Sequence, residues 1–291
     1  MVSGPQEDIV FVTRAPDGTD VRAYDEGQGP VIVLLHPGLD DGTRPAKLAG
    51  ILARRFRVLR PHRRQYRMDL KPDPRLGGSP VTIAQEVEDV LALVRAVGEP
   101  VVLYGHSDGG VVALEALAAS PSSFAGAVIF EPAADVGPPL SPLSGENGQV
   151  LTRAREALAA GRPGKAMAIF MRGSVGLPGW QARLAGGFIS LIPKYRALVP
   201  AQLDSLDALS RLGARLDAYA AIRVPTVLLD GDRSPAHLRR RLDAVQQVMP
   251  QAERIVMRGR DHGADLRDPQ QIAGIIETLA DRVLPRSPGP P

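Results

Sequence analysis

Gly105-His106-Ser107-Asp108-Gly109 sets a serine between glycines, directly after the apolar run Pro100-Val101-Val102-Leu103-Tyr104. Gly110-Val111-Val112-Ala113-Leu114-Glu115-Ala116-Leu117 follows at once and reads as a helix. Strand, G-x-S-x-G and helix form the context in which a serine hydroxyl is held out on a sharp turn as a nucleophile. Such a turn leaves no room for neighbouring side chains, hence Gly105, Gly109 and Gly110. The helix aims its free N–H groups and positive end at the serine, where negative charge develops during acyl transfer. The competing reading, a plain Gly/Ser loop, does not account for the flanking strand and helix.

A serine hydroxyl is a poor nucleophile at neutral pH and needs a general base within hydrogen-bond reach. Of five histidines, His262 in Gly259-Arg260-Asp261-His262-Gly263 is the best placed. Its loop follows the last apolar run and precedes the last helix, which brings it to the same sheet edge as Ser107. The competing reading is a polar loop histidine. His36 ends a strand close to the serine turn and is better suited to position backbone than to take protons. His106 fills the variable position of the pentapeptide. His62 and His237 carry no motif.

The elements that must position these groups alternate. Apolar runs of strand length occupy 30–35, 100–104, 125–130, 225–229 and 254–257, with weaker runs at 9–13, 21–24 and 57–59. Residues 82–97 carry apolar side chains at helical spacing, with Thr82 as N-cap and Gly98 as stop. Further helices are predicted over 235–248 and 269–283. Strands alternating with helices imply a mostly parallel sheet covered on both faces, here of about eight strands. Residues 137–221 interrupt the alternation with helical segments at 150–160, 164–171 and 202–221, punctuated by Gly/Pro clusters. They are expected to form a helical cap over the active-site face, on a core domain made of 1–136 and 222–284. The Pro-rich tail 285–291 is expected to be disordered.

Composition narrows the function classes. No run of eighteen apolar residues exists to span a membrane, the N-terminus lacks a secretory pattern, and there is no cysteine. A cytoplasmic location with no membrane partner is the expectation. The formal net charge is +3, with arginines clustered at 54, 55, 57, 60, 63, 64 and 67. Without a groove-reading module, and with aromatics at only 4%, this cluster does not make a nucleic-acid binder. It reads as a solvated arginine-rich loop, whose one functional use would be an anionic part of a substrate.

The chain resembles the α/β-hydrolase superfamily over nearly its whole length. The matching landmarks are His36-Pro37-Gly38, the serine pentapeptide, Gly231-Asp232 and Gly259 to His262. Residues 128–135 (VIFEPAAD) and 224–235 (VPTVLLDGDRSP) look most like esterase-like hydrolases common in actinobacteria. The resemblance implies the α/β-hydrolase fold, with the cap inserted after the sixth strand. It also implies a triad acid, which many members carry in a G-D-x-D loop after the seventh strand. Here that loop reads Gly231-Asp232-Arg233-Ser234, so the usual seat holds Ser234. The family offers a second seat just past the sixth strand, used by some haloalkane dehalogenases, and in this chain it is Glu131. A glutamate at the end of a buried strand needs a partner such as an imidazole N–H. Asp232 is the alternative acid, with Asp135 or no acid behind it; a carboxylate receiving only loop backbone N–H groups is the structural reading of Glu131. By the same match the oxyanion hole is built from the Gly38 and Asp108 backbone N–H groups, with Pro37 where relatives often have glycine. The loop Arg60 to Arg67 departs from the D-R-R-G-Y-G of many relatives and is expected to take a different path near the rim of the site.

These features lead to acyl transfer to water. Ser107 attacks an ester, thioester or lactone carbonyl, His262 oriented by Glu131 relays the proton, and water releases the acid. No metal or organic cofactor is required, and the partner is a small-molecule substrate. His36, Leu39, His106 and Trp180 are candidate substrate contacts, and the apolar cap suits a hydrophobic acyl or alcohol group. The same serine machinery also serves carbon–carbon bond hydrolysis and perhydrolysis. A ligand-binding protein that keeps the pocket without turnover is the reading from another class, supported by the absent acid at Ser234 and the altered loops.

Overall fold

The computed structural model describes residues 11–70, 81–137 and 149–284. Residues 1–10, 71–80, 138–148 and 285–291 lie outside the described residues, as does the expectation of a disordered tail. Eight strands form one sheet: β1 (Phe11–Arg14), β2 (Asp20–Glu26), β3 (Val31–Leu35), β4 (Arg57–Pro61), β5 (Val101–His106), β6 (Phe124–Phe130), β7 (Thr226–Gly231) and β8 (Glu253–Met257). Their order across the sheet is β1-β2-β4-β3-β5-β6-β7-β8. β1 and β2 are antiparallel additions at one edge, and every pairing from β4 to β8 is parallel.

Why those runs read as continuously apolar is plain from the layers. Val31, Val33, Leu35, Val101, Leu103, Ala127 and Ile129 pack on one face. Ile32, Leu34, Val102, Tyr104, Val128 and Phe130 pack on the other. A strand covered on both faces has no solvent side to mark with polar residues. The first face is covered by α2 (Ile83–Val97), α3 (Asp108–Ala119), α8 (Leu216–Ala220) and α9 (Ala236–Val248). The second is covered by α1 (Ala46–Leu52), α10 (Ala264–Arg267) and α11 (Pro269–Val283). α2 begins and ends where its sequence signals stand. Thr82 and Gln85 form a reciprocal capping box, and Gly98 closes the helix at φ 84°.

Between β6 and β7 lie α4 (Val150–Ala159), α5 (Pro163–Gly173), α6 (Gly179–Leu191), α7 (Pro193–Leu212) and α8. Ala154, Met167, Phe170, Ile189, Val199, Leu203 and Leu206 give this segment a small core of its own. The helix expected over 202–221 starts earlier and is broken at Gly213, whose φ of 68° ends α7. α6 was not expected at all, because Gly179, Gly186 and Gly187 weaken its helical signal.

The arginine cluster is corrected by the structure. Arg60, Arg63, Arg64 and Arg67 are buried rather than solvated. Arg63 donates two hydrogen bonds to Glu86 of α2 at 2.8 and 3.0 Å, and Arg64 spans Asp89 and Asp17. Arg60 joins Glu26 to the Gly42 carbonyl, while Arg67 pairs with Asp69. Guanidinium groups satisfied in this way tie the loop after β4 to its neighbours and are not presented to an anionic ligand.

Candidate active site

β3, β5 and β6 all end at one edge of the sheet, at the point where the strand order reverses. Ser107 sits immediately past β5 at φ 56°, ψ −121°, a backbone conformation that side-chain-bearing residues rarely adopt. The neighbouring glycines make it possible. A Cβ on Gly109 would stand 2.4 Å from the His36 carbonyl oxygen, and one on Gly105 2.7 Å from the Gly109 carbonyl oxygen. Ser107 N–H donates to the Phe130 carbonyl, and Ala133 N–H donates to the Ser107 carbonyl, both at 3.0 Å. The serine turn is thereby clamped to the loop after β6, where Glu131 is also held at positive φ (40°).

Glu131 is fully buried, and its Oε2 accepts a 2.6 Å hydrogen bond from His262 Nδ1. Its other oxygen accepts from the Gly231 N–H at 2.9 Å. Burial opposes ionisation, yet His262, the Gly231 amide and the nearby Ser234 hydroxyl hold the carboxyl below the ordinary glutamate range. The Ser234 hydroxyl makes no hydrogen bond of good geometry itself, so its part is a dipole beside the carboxylate. Asp232 stands elsewhere. It is exposed, and its Oδ1 accepts from the Gly259 N–H at 2.7 Å, bracing the loop that carries His262. Asp135 accepts from the Gly137 N–H.

His106 lies beneath the imidazole. Its ring stacks on Phe130 (centroids 4.5 Å apart) and meets the edge of His262 at 4.7 Å. Nδ1 of His106 is 3.5 Å from Asp265, which Arg44 holds through two hydrogen bonds. Burial keeps the His106 pKa down, so it is a neutral support for the His262 ring.

On the other side of Ser107, the Asp108 carboxylate is engaged by the loop after β4 and by α7. Tyr66 Oη donates to it at 2.6 Å, Ser205 Oγ at 2.9 Å, and Arg63 lies 3.3 Å away. Burial opposes its charge, but Arg63, Tyr66 and Ser205 together lower its pKa. The Asp108 N–H is the first amide of α3 and has no intrahelical acceptor to meet. Gly38 faces Gln202 of α7 so closely that a Cβ would be 2.0 Å from the Gln202 side chain. Tyr66 Oη is 3.0 Å from that same side-chain amide. The atom facing Tyr66 is the Gln202 Oε1, so the single Tyr66 proton lies between two acceptors, with the shorter bond to Asp108.

A cleft of about 750 Å³ opens over these groups, with Ser107, Asp108, Gly38 and His262 in its wall. Leu39 and His106 line it, as do Phe170, Met171, Leu177 and Leu206 from the helical segment. Among the described residues, no group of three or more His, Asp or Glu side chains is arranged to hold a metal ion.

Residues 32–275 match the family described as "Alpha/beta hydrolase family". The chain belongs to the alpha/beta hydrolase family. Among solved structures similar to this alpha/beta hydrolase is one from Sphaerobacter thermophilus DSM 20745, at 26% identity and a TM-score of 0.73, covering 92% of this chain and 99% of that one. A thermophilic esterase from Thermogutta terrifontis is 19% identical with a TM-score of 0.69, covering 95% and 99%. The esterase RhEst1 from Rhodococcus sp. ECU1013 is 20% identical with a TM-score of 0.68, covering 95% and 100%. None of the curated proteins matches the sequence.

Two expected substrate contacts of this alpha/beta hydrolase stand away from the cleft. His36 is buried behind its wall, bonded through Nδ1 to the Pro37 carbonyl, and its Nε2 accepts from the Arg63 N–H at 3.3 Å. It props the loop after β3. Trp180 projects from α6 into solvent at 64% exposure and does not line the cleft. Conversely, Tyr66, Gln202 and Ser205 escaped the sequence reading. Gln202 and Ser205 stand on α7 with no motif, and Tyr66 lies in the loop after β4 that was read only as part of the rim; folding brings Tyr66 and Ser205 to Asp108 and Gln202 to Tyr66.

Proposed function

We propose that this alpha/beta hydrolase is a serine hydrolase that cleaves an ester, thioester or lactone through an acyl-enzyme. The observation that carries the reading is the 2.6 Å His262–Glu131 hydrogen bond, opening on the same cleft as Ser107 on its strained turn. Glu131 accepts at Nδ1, which leaves Nε2 of His262 as the proton acceptor facing the cleft. His262 takes the Ser107 proton as the hydroxyl attacks the carbonyl, then returns it to the leaving group. Gly38 and Asp108 N–H groups receive the oxyanion, and each is worth about 3 kcal/mol of transition-state stabilisation. Water then repeats the sequence to free the acid. Phe170, Met171, Leu177 and Leu206 favour an apolar group on the substrate.

The ligand-binding alternative drew on the absent acid at Ser234 and on the altered loops, and the contact of Glu131 with His262 favours the hydrolase reading over it. The deciding experiment is intact mass after treatment with a fluorophosphonate. One adduct on the wild type, absent from Ser107→Ala, is expected. A folded wild type that gains no mass would leave a binding protein as the better description.

A further inference from the structure

α6 is apolar on both sides. Ala182, Gly186 and Ile189 are buried against the neighbouring helices. On the opposite side Trp180, Leu184, Phe188 and Leu191 are exposed by 64, 66, 60 and 81%. At about 100° per residue these four fall within roughly 80° of one another, so they form one ridge along the helix. Four of the eight large hydrophobic side chains exposed among the described residues are on this one helix, and the other four are scattered.

The ground around the ridge is basic. From 157 to 203 the chain contains Arg162, Lys165, Arg172, Arg183, Lys194 and Arg196 and no Asp or Glu. Arg162, Lys165, Arg183 and Arg196 are exposed and line an open cleft of about 800 Å³ between α5 and α6, immediately beside the ridge. No carboxylate among the described residues pairs with these four. Beneath the cleft α5 and α6 approach closely through glycines; a Cβ on Gly164 would stand 2.7 Å from the Gly186 carbonyl.

We propose that α6 docks this protein on an anionic lipid surface, with the ridge seated at the headgroup–acyl boundary and the cleft taking lipid phosphates. An apolar stripe carrying tryptophan and flanked by Lys and Arg is the composition that lies in a membrane interface. A second copy of the chain is the poorer occupant, since a two-fold contact through α6 would bring each basic margin against its own image. No helix among the described residues is long and apolar enough to cross a membrane, and the expectation of no membrane partner came from that absence. Lying on a surface needs only the face described. Gly176, Leu177, Pro178 and Gln181, at the start of α6, line the active-site cleft. Docking therefore sets the mouth of the cleft at the lipid boundary, where an apolar substrate is most concentrated. Docking of this face is independent of the serine chemistry.

Trp180 is the only tryptophan of the chain, so its fluorescence reports on the ridge directly. The full-length protein is titrated with phosphatidylglycerol vesicles and with phosphatidylcholine vesicles, and binding is also read by sedimentation. Expected are a blue shift of Trp180 emission and sedimentation with the anionic vesicles, weakening as salt rises. Leu184→Glu/Phe188→Glu should abolish both, and Lys165→Glu/Arg183→Glu should weaken binding by about tenfold or more, each with an unchanged thermal midpoint. Absence of binding, equal binding to both vesicle types, or wild-type binding by either variant overturns the proposal. So does a wild-type dimer that Leu184→Glu/Phe188→Glu converts to monomer, which would assign the ridge to a second copy.

Discussion

Replacing Glu131 by glutamine keeps the shape of the site and changes one proton. In the native protein Oε1 accepts from Gly231 N–H at 2.9 Å, and Oε2 accepts from His262 Nδ1 at 2.6 Å. Glutamine has one carbonyl oxygen to replace two carboxylate oxygens. The Gly231 N–H is a backbone donor that cannot turn, and leaving it without an acceptor costs about 1–3 kcal/mol. The carbonyl therefore stays with Gly231, and the new NH₂ turns to His262. Facing a donor, Nδ1 must accept, which moves the imidazole proton to Nε2, where it blocks uptake of the Ser107 proton. A base locked in the wrong tautomer loses about 10⁴ in kcat, or about 5 kcal/mol of barrier. KM should change little, because Glu131 does not line the cleft. Asp232→Asn removes a charge from an exposed brace of the Gly259 N–H and should cost less than about tenfold. Steady-state kinetics on a soluble ester, with phosphonate labelling rates for Ser107, measure both variants. If Glu131→Gln stays within tenfold of wild type, or Asp232→Asn falls as far as it does, Glu131 does not orient the base.

Four further outcomes follow from the same geometry. Ser234→Asp in the Glu131→Gln background returns a carboxylate next to position 131, and should recover at least about tenfold in kcat; no recovery would mean that position 234 cannot reach the imidazole. Gly109→Ala forces a methyl to 2.4 Å from the His36 carbonyl and 2.8 Å from that of Leu35, with backbone on both sides. A loss of about 1–3 kcal/mol in urea unfolding is expected. Arg63→Met leaves Glu86 and Asp108 buried without their cation and should cost about 3–5 kcal/mol by the same measurement. Lastly, burial, with Arg63 nearby, lowers the His36 pKa to about 3, well under its unfolded value of about 6.5. The unfolded chain then binds the extra proton between those values, so stability falls as pH drops below about 6.5, by about 2–3 kcal/mol at pH 4.5 from this group. His36→Gln should flatten that part of the stability–pH curve; an unchanged slope would place the proton uptake elsewhere.

Much of the frame was legible because it rests on local rules. Strands buried on both faces must be continuously apolar, and 30–35, 100–104, 125–130 and 225–229 are so for that reason. Thr82, Gln85 and Gly98 mark the ends of α2 through bonds made within a few residues. The serine turn is legible because its glycines answer to a clash at fixed short range. α6 was not legible, since glycines and apolar residues on two sides erase the helical period from which a buried face is read.

What the sequence by itself determined is therefore the alternating sheet, the serine on its turn and the histidine loop, each written in neighbouring residues. Only the tertiary structure sets the favoured acid Glu131 apart from its alternative Asp232 by contact: they lie on different strand ends, and His262 bonds to Glu131 while Asp232 accepts from the Gly259 amide. It likewise turned Arg60, Arg63 and Arg64 of the arginine cluster from solvent to the interior, because their partners Asp17, Glu26, Glu86 and Asp89 come from distant segments. A charge is solvated or buried according to the groups that folding places around it, and that placement is not local in the chain.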